Sequence, residues 1–211
     1  MRSPKILRIN PLQPEAGIIS LAGEILIRGG IIVAPTETRY GLLGRIDKEA
    51  TVRKIFDLKR RAVNLPTAIF VKSKNEIFLM GQENRAASRL ADRYLPGPLT
   101  LLLKNRSTYK EPIVVDDRIG VRYSSSAVIA SLLNVTKANL TATSANISGQ
   151  DEPVEVEEMA DIFGLQIDLY LDSGALKALP STVVDCFGDD YRILRTGDIT
   201  EDQIIRAIQD N

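Results

Sequence analysis

The chain is built around short apolar runs set at uneven intervals, and this spacing constrains its fold more than any other feature. IIVAP (31–35), TAIFV (67–71), LTLLL (99–103), IGVRY (119–123), LTATSA (140–145), DLYLD (168–172), STVVD (181–185) and YRILR (191–195) are each of strand length and bounded by turn formers. Residues 40–46 read as a further strand. Between these runs the apolar period changes to the helical one. Ile18, Leu21, Ala22, Ile25 and Leu26 share a helix face over 15–28, and Gly29-Gly30 stops it. Asp47 is expected to cap a helix running to about 60, with Ile55, Phe56 and Leu58 inward. Helices are also expected over 74–80, 83–94, 125–134, 154–163 and 199–209. Some joins are too short for anything but antiparallel pairing, and others hold a helical crossover. The predicted fold is therefore mixed α/β (α+β): a twisted sheet of parallel and antiparallel strands with helices on both faces.

The 211 residues are 44% hydrophobic and 26% charged, which suits one globular domain over 1–211 with a sizeable core. The chain has no histidine, so a Ser-His-Asp triad, a His general base and every His-ligated metal site are excluded. Its one cysteine, Cys186, leaves no internal disulfide and no Cys-cluster zinc site. No run approaches the ~20 apolar residues of a membrane span. MRSPKILRIN lacks the long apolar stretch of a secretory signal. The expected location is cytoplasmic, with no membrane partner. The formal net charge is zero but unevenly placed: residues 150–211 hold 15 acids and 4 bases, and residues 1–149 hold 12 acids and 23 bases. A basic body of this kind suits an anionic partner such as nucleotide or nucleic acid, or is balanced by a solvated acidic surface.

Four stretches concentrate polar chemistry. Pro35-Thr36-Glu37-Thr38-Arg39-Tyr40-Gly41 crowds hydroxyls, a carboxylate and a guanidinium at a strand end, as a ligand loop or a polar turn. Lys59-Arg60-Arg61 ends a helix before Asn64-Leu65-Pro66; it suits either phosphate or the negative end of the helix dipole. Residues 141–149 (TATSANISG) present hydroxyls and an amide where a strand becomes a loop, which lets backbone and side chains approach an anion closely. The fourth group is Gly120-Val121-Arg122, Pro180–Asp185 (PSTVVD) and Ile193–Gly197 (ILRTG), whose arginines either pair with carboxylates or reach a site at the sheet end. Neither GxxxxGK[ST] nor GxGxxG is present.

Taken in order, GGIIVAPTETRYGLLG, KRRAVNLPT, LPGPLTLLL, IGVRYSSSA, TSANISGQ, LPSTVVDC and LRTG resemble the YrdC/YciO family of L-threonylcarbamoyladenylate synthases, from about residue 17 to 197. The resemblance implies a YrdC-like domain with a twisted mixed sheet and a basic concave face. It also implies a reaction that joins ATP, L-threonine and bicarbonate into L-threonylcarbamoyl-AMP and pyrophosphate. Other proteins, a downstream threonylcarbamoyl-transferase complex, then pass the group to tRNA. By motif, Lys59 and Arg61 are implied to hold the ATP phosphates and to be the catalytic pair. Thr36, Arg122, Ala142 and Ser181 are implied on the L-threonine side, with Arg122 holding its carboxylate. Thr143, Ser144, Asn146 and Arg195 are implied on the nucleotide side. Mg²⁺ is expected to travel with ATP, with no metal ligand from the protein. The chain ends 14 residues after Gly197, so the additional C-terminal domain of some relatives is not expected.

The sequence departs from the family pattern mainly around the implied threonine pocket. Ala62 replaces a Pro, Pro66-Thr67 replaces PL, Phe70 stands where relatives have His, Tyr123–Ser126 lacks the prolines, and Arg39 replaces the usual Val. Two other readings accompany the enzyme: a diverged YciO-like paralogue using another amine or carbamoyl compound, and a protein binding double-stranded RNA or tRNA through phosphates.

Overall fold

The computed structural model describes residues 3–62, 67–188 and 190–209, so Asn64, Leu65 and Pro66 of the expected turn lie outside the described residues. The strands are β1 (Ile6–Arg8), β2 (Ile32–Pro35), β3 (Tyr40–Leu43), β4 (Ala68–Phe70), β5 (Leu99–Lys104), β6 (Val114–Val115), β7 (Arg118–Arg122), β8 (Leu140–Ser144), β9 (Leu169–Asp172), β10 (Thr182–Asp185) and β11 (Arg192–Arg195). The helices are α1 (Ala16–Ile27), α2 (Glu49–Leu58), α3 (Lys74–Met80), α4 (Arg85–Tyr94), α5 (Ala127–Thr136), α6 (Val156–Phe163) and α7 (Glu201–Gln209). The strands form one sheet in the order β1-β9-β2-β3-β8-β4-β7-β5-β10-β11, with β6 paired to β7. Pairing is mixed: β1–β9, β2–β9, β4–β7 and β5–β10 are parallel, and the other pairs are antiparallel. The mixed sheet expected from the join lengths is the one observed.

Period-two alternation distributes the core. In β2, Ile32 and Ala34 pack with Ile19 and Leu26 of α1 and with Val128 and Leu132 of α5, while Ile31 and Val33 meet Met159 and Phe163 of α6. Leu169 and Leu171 of β9 point to the first cluster and Tyr170 to the second. This part of the sheet is covered on both faces. In β5, β7 and β10, by contrast, Leu99, Leu101, Leu103, Ile119, Val121 and Val184 pack on α3, α4 and α7. Their neighbours Thr100, Leu102, Gly120, Arg122 and Val183 line an open cleft instead. Cys186 is buried in the same core, and burial pushes its thiol up to about 12.

Helix ends follow local chemistry. Ser73, Asn84 and Ser126 cap α3, α4 and α5, accepting from Glu76 N, Ala87 N and Ile129 N. The expected Asp47 cap does not form. Lys48 occupies the cap position without a side-chain bond, and Asp47 forks onto Arg45 Nε and Nη2 at 2.9 and 2.6 Å. Two bonds to a guanidinium, charged on both sides, outcompete a single carboxylate bond to a backbone N–H. The strand expected over 40–46 is regular only to Leu43: Gly44 N donates to the Thr141 hydroxyl in place of a backbone carbonyl, and pairing resumes as a single bridge from Arg45 to Leu140. Strand β1, the two-residue β6 and a 3₁₀ turn at Gly164–Gln166 were not expected from the sequence. No helix among the described residues is long and apolar enough to cross a membrane.

Candidate active site

Strand register builds the floor of a cleft of about 290 Å³. Ala142 of β8 lies beside Ala68 of β4, Ala68 beside Gly120 of β7, and Gly120 beside Leu102 of β5. All four line the cleft. A Cβ on Gly120 would stand 3.0 Å from both Cα and Cβ of Ala68, so the floor is low because β4 and β7 approach closely there.

One wall is the turn between β2 and β3. Thr36 Oγ1 organises it, accepting from Thr38 N and Arg39 N and donating to Arg39 O at 2.7 Å. The hydroxyl reinforces the one long backbone bond across the bend, Thr36 N to Arg39 O at 3.3 Å. The turn presents Thr38 Oγ1 to Arg122 Nη2 (2.8 Å), and Glu37 Oε1 lies 3.0 Å from the same nitrogen. Ser124 donates to the other oxygen of Glu37. Arg122 also stands over the Phe70 ring at 5.5 Å. It is buried and fixed on one edge, while its Nε has no hydrogen-bond partner among the described residues. Both sequence readings of Arg122 therefore hold: it pairs with a carboxylate and it lines the cleft.

The opposite wall depends on the end of α2. Arg60 N donates to Asp57 O and Arg61 N to Phe56 O, with Arg60 at φ +49°. This is a Schellman closure with arginine in the place glycine prefers. It turns Arg60 to solvent and Arg61 into the cleft lining. Lys59 goes elsewhere. It is 1% exposed, and its ammonium donates to Ser144 O (2.5 Å), Asn146 O (2.9 Å) and Asn146 Oδ1 (2.9 Å). Its own carbonyl accepts from Ser148 N. Three carbonyl acceptors use all three protons of a charged amine. Burial, then the charge of Arg61, push that ammonium down to about 7, with Glu152 opposing. Ser144 Oγ also donates to Asn146 Oδ1 (2.7 Å), and Asn146 Nδ2 donates to Gln150 O (2.7 Å). Lys59 and Asn146 thus stand behind the wall and shape the loop that puts Thr143 and Ser144 in the cleft.

The far end is closed by β10 and β11. Arg195 donates through Nε to Ser181 O and through Nη2 to Ser181 Oγ, each at 3.0 Å, and Ser181 Oγ is 3.0 Å from Thr100 Oγ1. Gly197 makes this junction possible: a Cβ there would sit 2.0 Å from Pro180 O. Arg61 and Arg195 are both pushed down by burial, then each by a neighbouring guanidinium, from Arg195 and Arg122 respectively; Glu152 pulls Arg195 back up. Cations that repel one another around a shared space form a receptor for an anion.

Of the sequence-predicted residues, Thr36, Arg61, Arg122, Ala142, Thr143, Ser144, Ser181 and Arg195 share this lining, and Lys59 and Asn146 support it from behind. Sequence reasoning missed Thr67, Ala68, Thr100, Leu102 and Glu152. Alternation along LTLLL could have assigned Thr100 and Leu102 to the face opposite the core. Nothing in the sequence around Glu152 marks it. Among the described residues no three Cys, Asp or Glu side chains converge as a metal site.

Comparison with known proteins gives the chain its relatives. Residues 24–197 match the Sua5/YciO/YrdC family, which carries the description "Telomere recombination". A relative from Methanocaldococcus jannaschii is 34% identical over 206 residues, covering 96% of this chain and 98% of its own length. The threonylcarbamoyl-AMP synthase of Pyrococcus abyssi is 30% identical over 90% of this chain, which spans only 57% of that longer protein. The crystal structure of P. abyssi Sua5 complexed with L-threonine superposes with a TM-score of 0.90 at 29% identity, over 97% of this chain and 61% of that one. Escherichia coli YciO gives 0.85 at 25% identity, over 92% and 96%. By the family match over residues 24–197, by its relatives and by its fold, the chain belongs to the Sua5/YciO/YrdC family.

Proposed function

We propose that this protein is a threonylcarbamoyl-AMP synthase, a nucleotidyltransferase that joins L-threonine, bicarbonate and ATP into L-threonylcarbamoyl-AMP with release of pyrophosphate. One observation carries the reading: four arginines, 39, 61, 122 and 195, converge over a floor of small residues in a cleft of about 290 Å³. The names of the relatives and the threonine-bound neighbour support the same assignment. A receptor of that size suits compact anions better than the long phosphate track of an RNA duplex.

In the reaction the threonine amine bonds to the carbon of bicarbonate with loss of water, giving a carbamate. A carbamate oxygen attacks the α-phosphorus, and the bond to the bridging oxygen breaks as pyrophosphate leaves. No residue needs to supply a nucleophile, which suits a chain without histidine. Arg122, fixed through Nη2 by Glu37 and Thr38, meets the threonine carboxylate from the cleft lining, with Thr36, Ala142 and Ser181 around the amino acid. Arg61 and Arg195, with Thr143 and Ser144, take the nucleotide and its phosphates. Their fixed positive potential favours the charge that grows on the leaving pyrophosphate. Lys59 and Asn146 act as positioning residues through the Ser144 loop. Glu152 is the only carboxylate among the described lining residues, so the residues present fit a Mg²⁺ carried on the triphosphate rather than one caged by the protein. Such an ion neutralises phosphate charge. We read residues 1–211 as one YrdC-like domain working in the cytoplasm, whose product passes to a separate transferase acting on tRNA.

The test is ATP-dependent pyrophosphate release in bicarbonate buffer across a panel of amino acids. L-Threonine is expected to stimulate it most, and excess chelator is expected to slow it. Stimulation by a different amine would replace threonine as substrate. No release, together with RNA binding that weakens steeply with salt, would overturn the enzyme reading.

A further inference from the structure

The cleft carries its own anion. Among the described lining residues Glu152 is the single carboxylate facing four guanidinium groups. It lies three residues after Gly149 (φ +80°), in the stretch without regular structure between β8 and α6. Its grip is weak. It makes no hydrogen bond among the described residues, and its one ion pair, Oε2 to Arg39 Nε, is 3.7 Å long. Among the described residues Arg39 Nε is buried without a hydrogen-bond partner, and the only other polar contact of that guanidinium is Nη1 to Leu176 O at 3.1 Å. The Glu152 charge is nevertheless felt across the site, raising the proton affinity of both Lys59 and Arg195. A carboxylate held by charge alone, among donors with unfilled hydrogen bonds, is exchangeable for a better acceptor.

We propose that Glu152 is the resident counter-ion of the cleft, held by Arg39, and that a polyphosphate ligand displaces it and takes Arg39 as a further contact. Glu152 then sets how tightly the cleft binds phosphate, and Arg39 becomes a ligand-binding residue of this chain. The inference rests on the reading that the cleft takes a nucleotide.

The test is calorimetric titration of inorganic pyrophosphate, in Mg²⁺-free buffer, into the wild-type chain, Glu152→Gln and Arg39→Gln. Glu152→Gln is expected to bind pyrophosphate about ten-fold more tightly, a change of ~1.4 kcal/mol. Its affinity for L-threonine, which carries no net charge, is expected to stay within about two-fold. Arg39→Gln is expected to bind pyrophosphate more weakly than wild type. Melting temperatures of all three establish that the fold is intact. Pyrophosphate affinity unchanged or reduced in Glu152→Gln, with wild-type threonine-dependent turnover intact, overturns the counter-ion and leaves the enzyme standing. Wild-type protein with neither pyrophosphate binding nor threonine-dependent turnover overturns the enzyme reading. If Glu152→Gln also fails to bind, the counter-ion falls with it.

Discussion

The two halves of the sheet use the same alternating pattern for different ends. Around β2 and β9 both faces are apolar and both are roofed by helices, so Ile32 and Val33 are equally buried on opposite sides. Around β5, β7 and β10 one face is apolar and roofed, and the other carries Thr100, Gly120, Arg122 and the rest of the cleft. Parallel neighbours with two covered faces read as continuous apolar runs, and strands with one working face admit polar residues at every second place. The first half is scaffold up to the end of β2, where the turn into β3 becomes a wall of the cleft. The second is scaffold on one side and a receptor on the other, and it takes its rigidity from the side that is packed.

Substitutions that cross this division test it. The largest effect is expected from Leu169→Ala in the doubly covered half, a loss of ~2–5 kcal/mol in urea denaturation because the cavity cannot collapse between two layers. Leu102→Ala, whose side chain faces the cleft, is expected to cost well under that figure; equal losses would erase the contrast. Lys59→Ala comes next. It takes the ammonium donor from Ser144 O and Asn146 O and leaves Asn146 Oδ1 only the Ser144 hydroxyl, costing about 1–3 kcal/mol, and is expected to lower melting temperature and ATP affinity together. Arg61→Ala separates the two effects. Its melting temperature is expected to fall less than that of Lys59→Ala while ATP binding drops roughly ten- to hundred-fold, the loss of one charge-assisted contact. A Lys59→Ala protein with wild-type melting temperature and no ATP binding would move Lys59 from the wall into the cleft. The smallest change is expected from Arg60→Gly, which relieves the positive φ at the end of α2 and stabilises the chain by up to about 1 kcal/mol without touching ATP affinity.

Much of this was legible in the residues. Apolar runs and their spacing place the strands and the mixed pairing, and the ordered motifs bring eight of the implied site residues to one lining. What escaped depends on contacts between distant segments. Lys59 and Arg61 are two apart and chemically alike in sequence, yet the closure at Arg60 sends one inward and the other into the cleft. Asp47 is a good cap by type, but Arg45 lies closer to hand. Strand β1 pairs with β9 more than 160 positions away, and no local period announces so short an edge. Glu152 enters the cleft only because β8 and α6 bracket its loop there.

The buried position of Cys186 reaches beyond packing. Burial pushes its thiol up to about 12, so almost none of it is thiolate at neutral pH, and the sulfur is screened by core side chains. Alkylating reagents and peroxide act on the thiolate, so they find almost no target in the native fold. Modification should therefore follow global unfolding, and the same inertness leaves a quiet background for a probe attached through a single cysteine introduced at the mouth of the cleft.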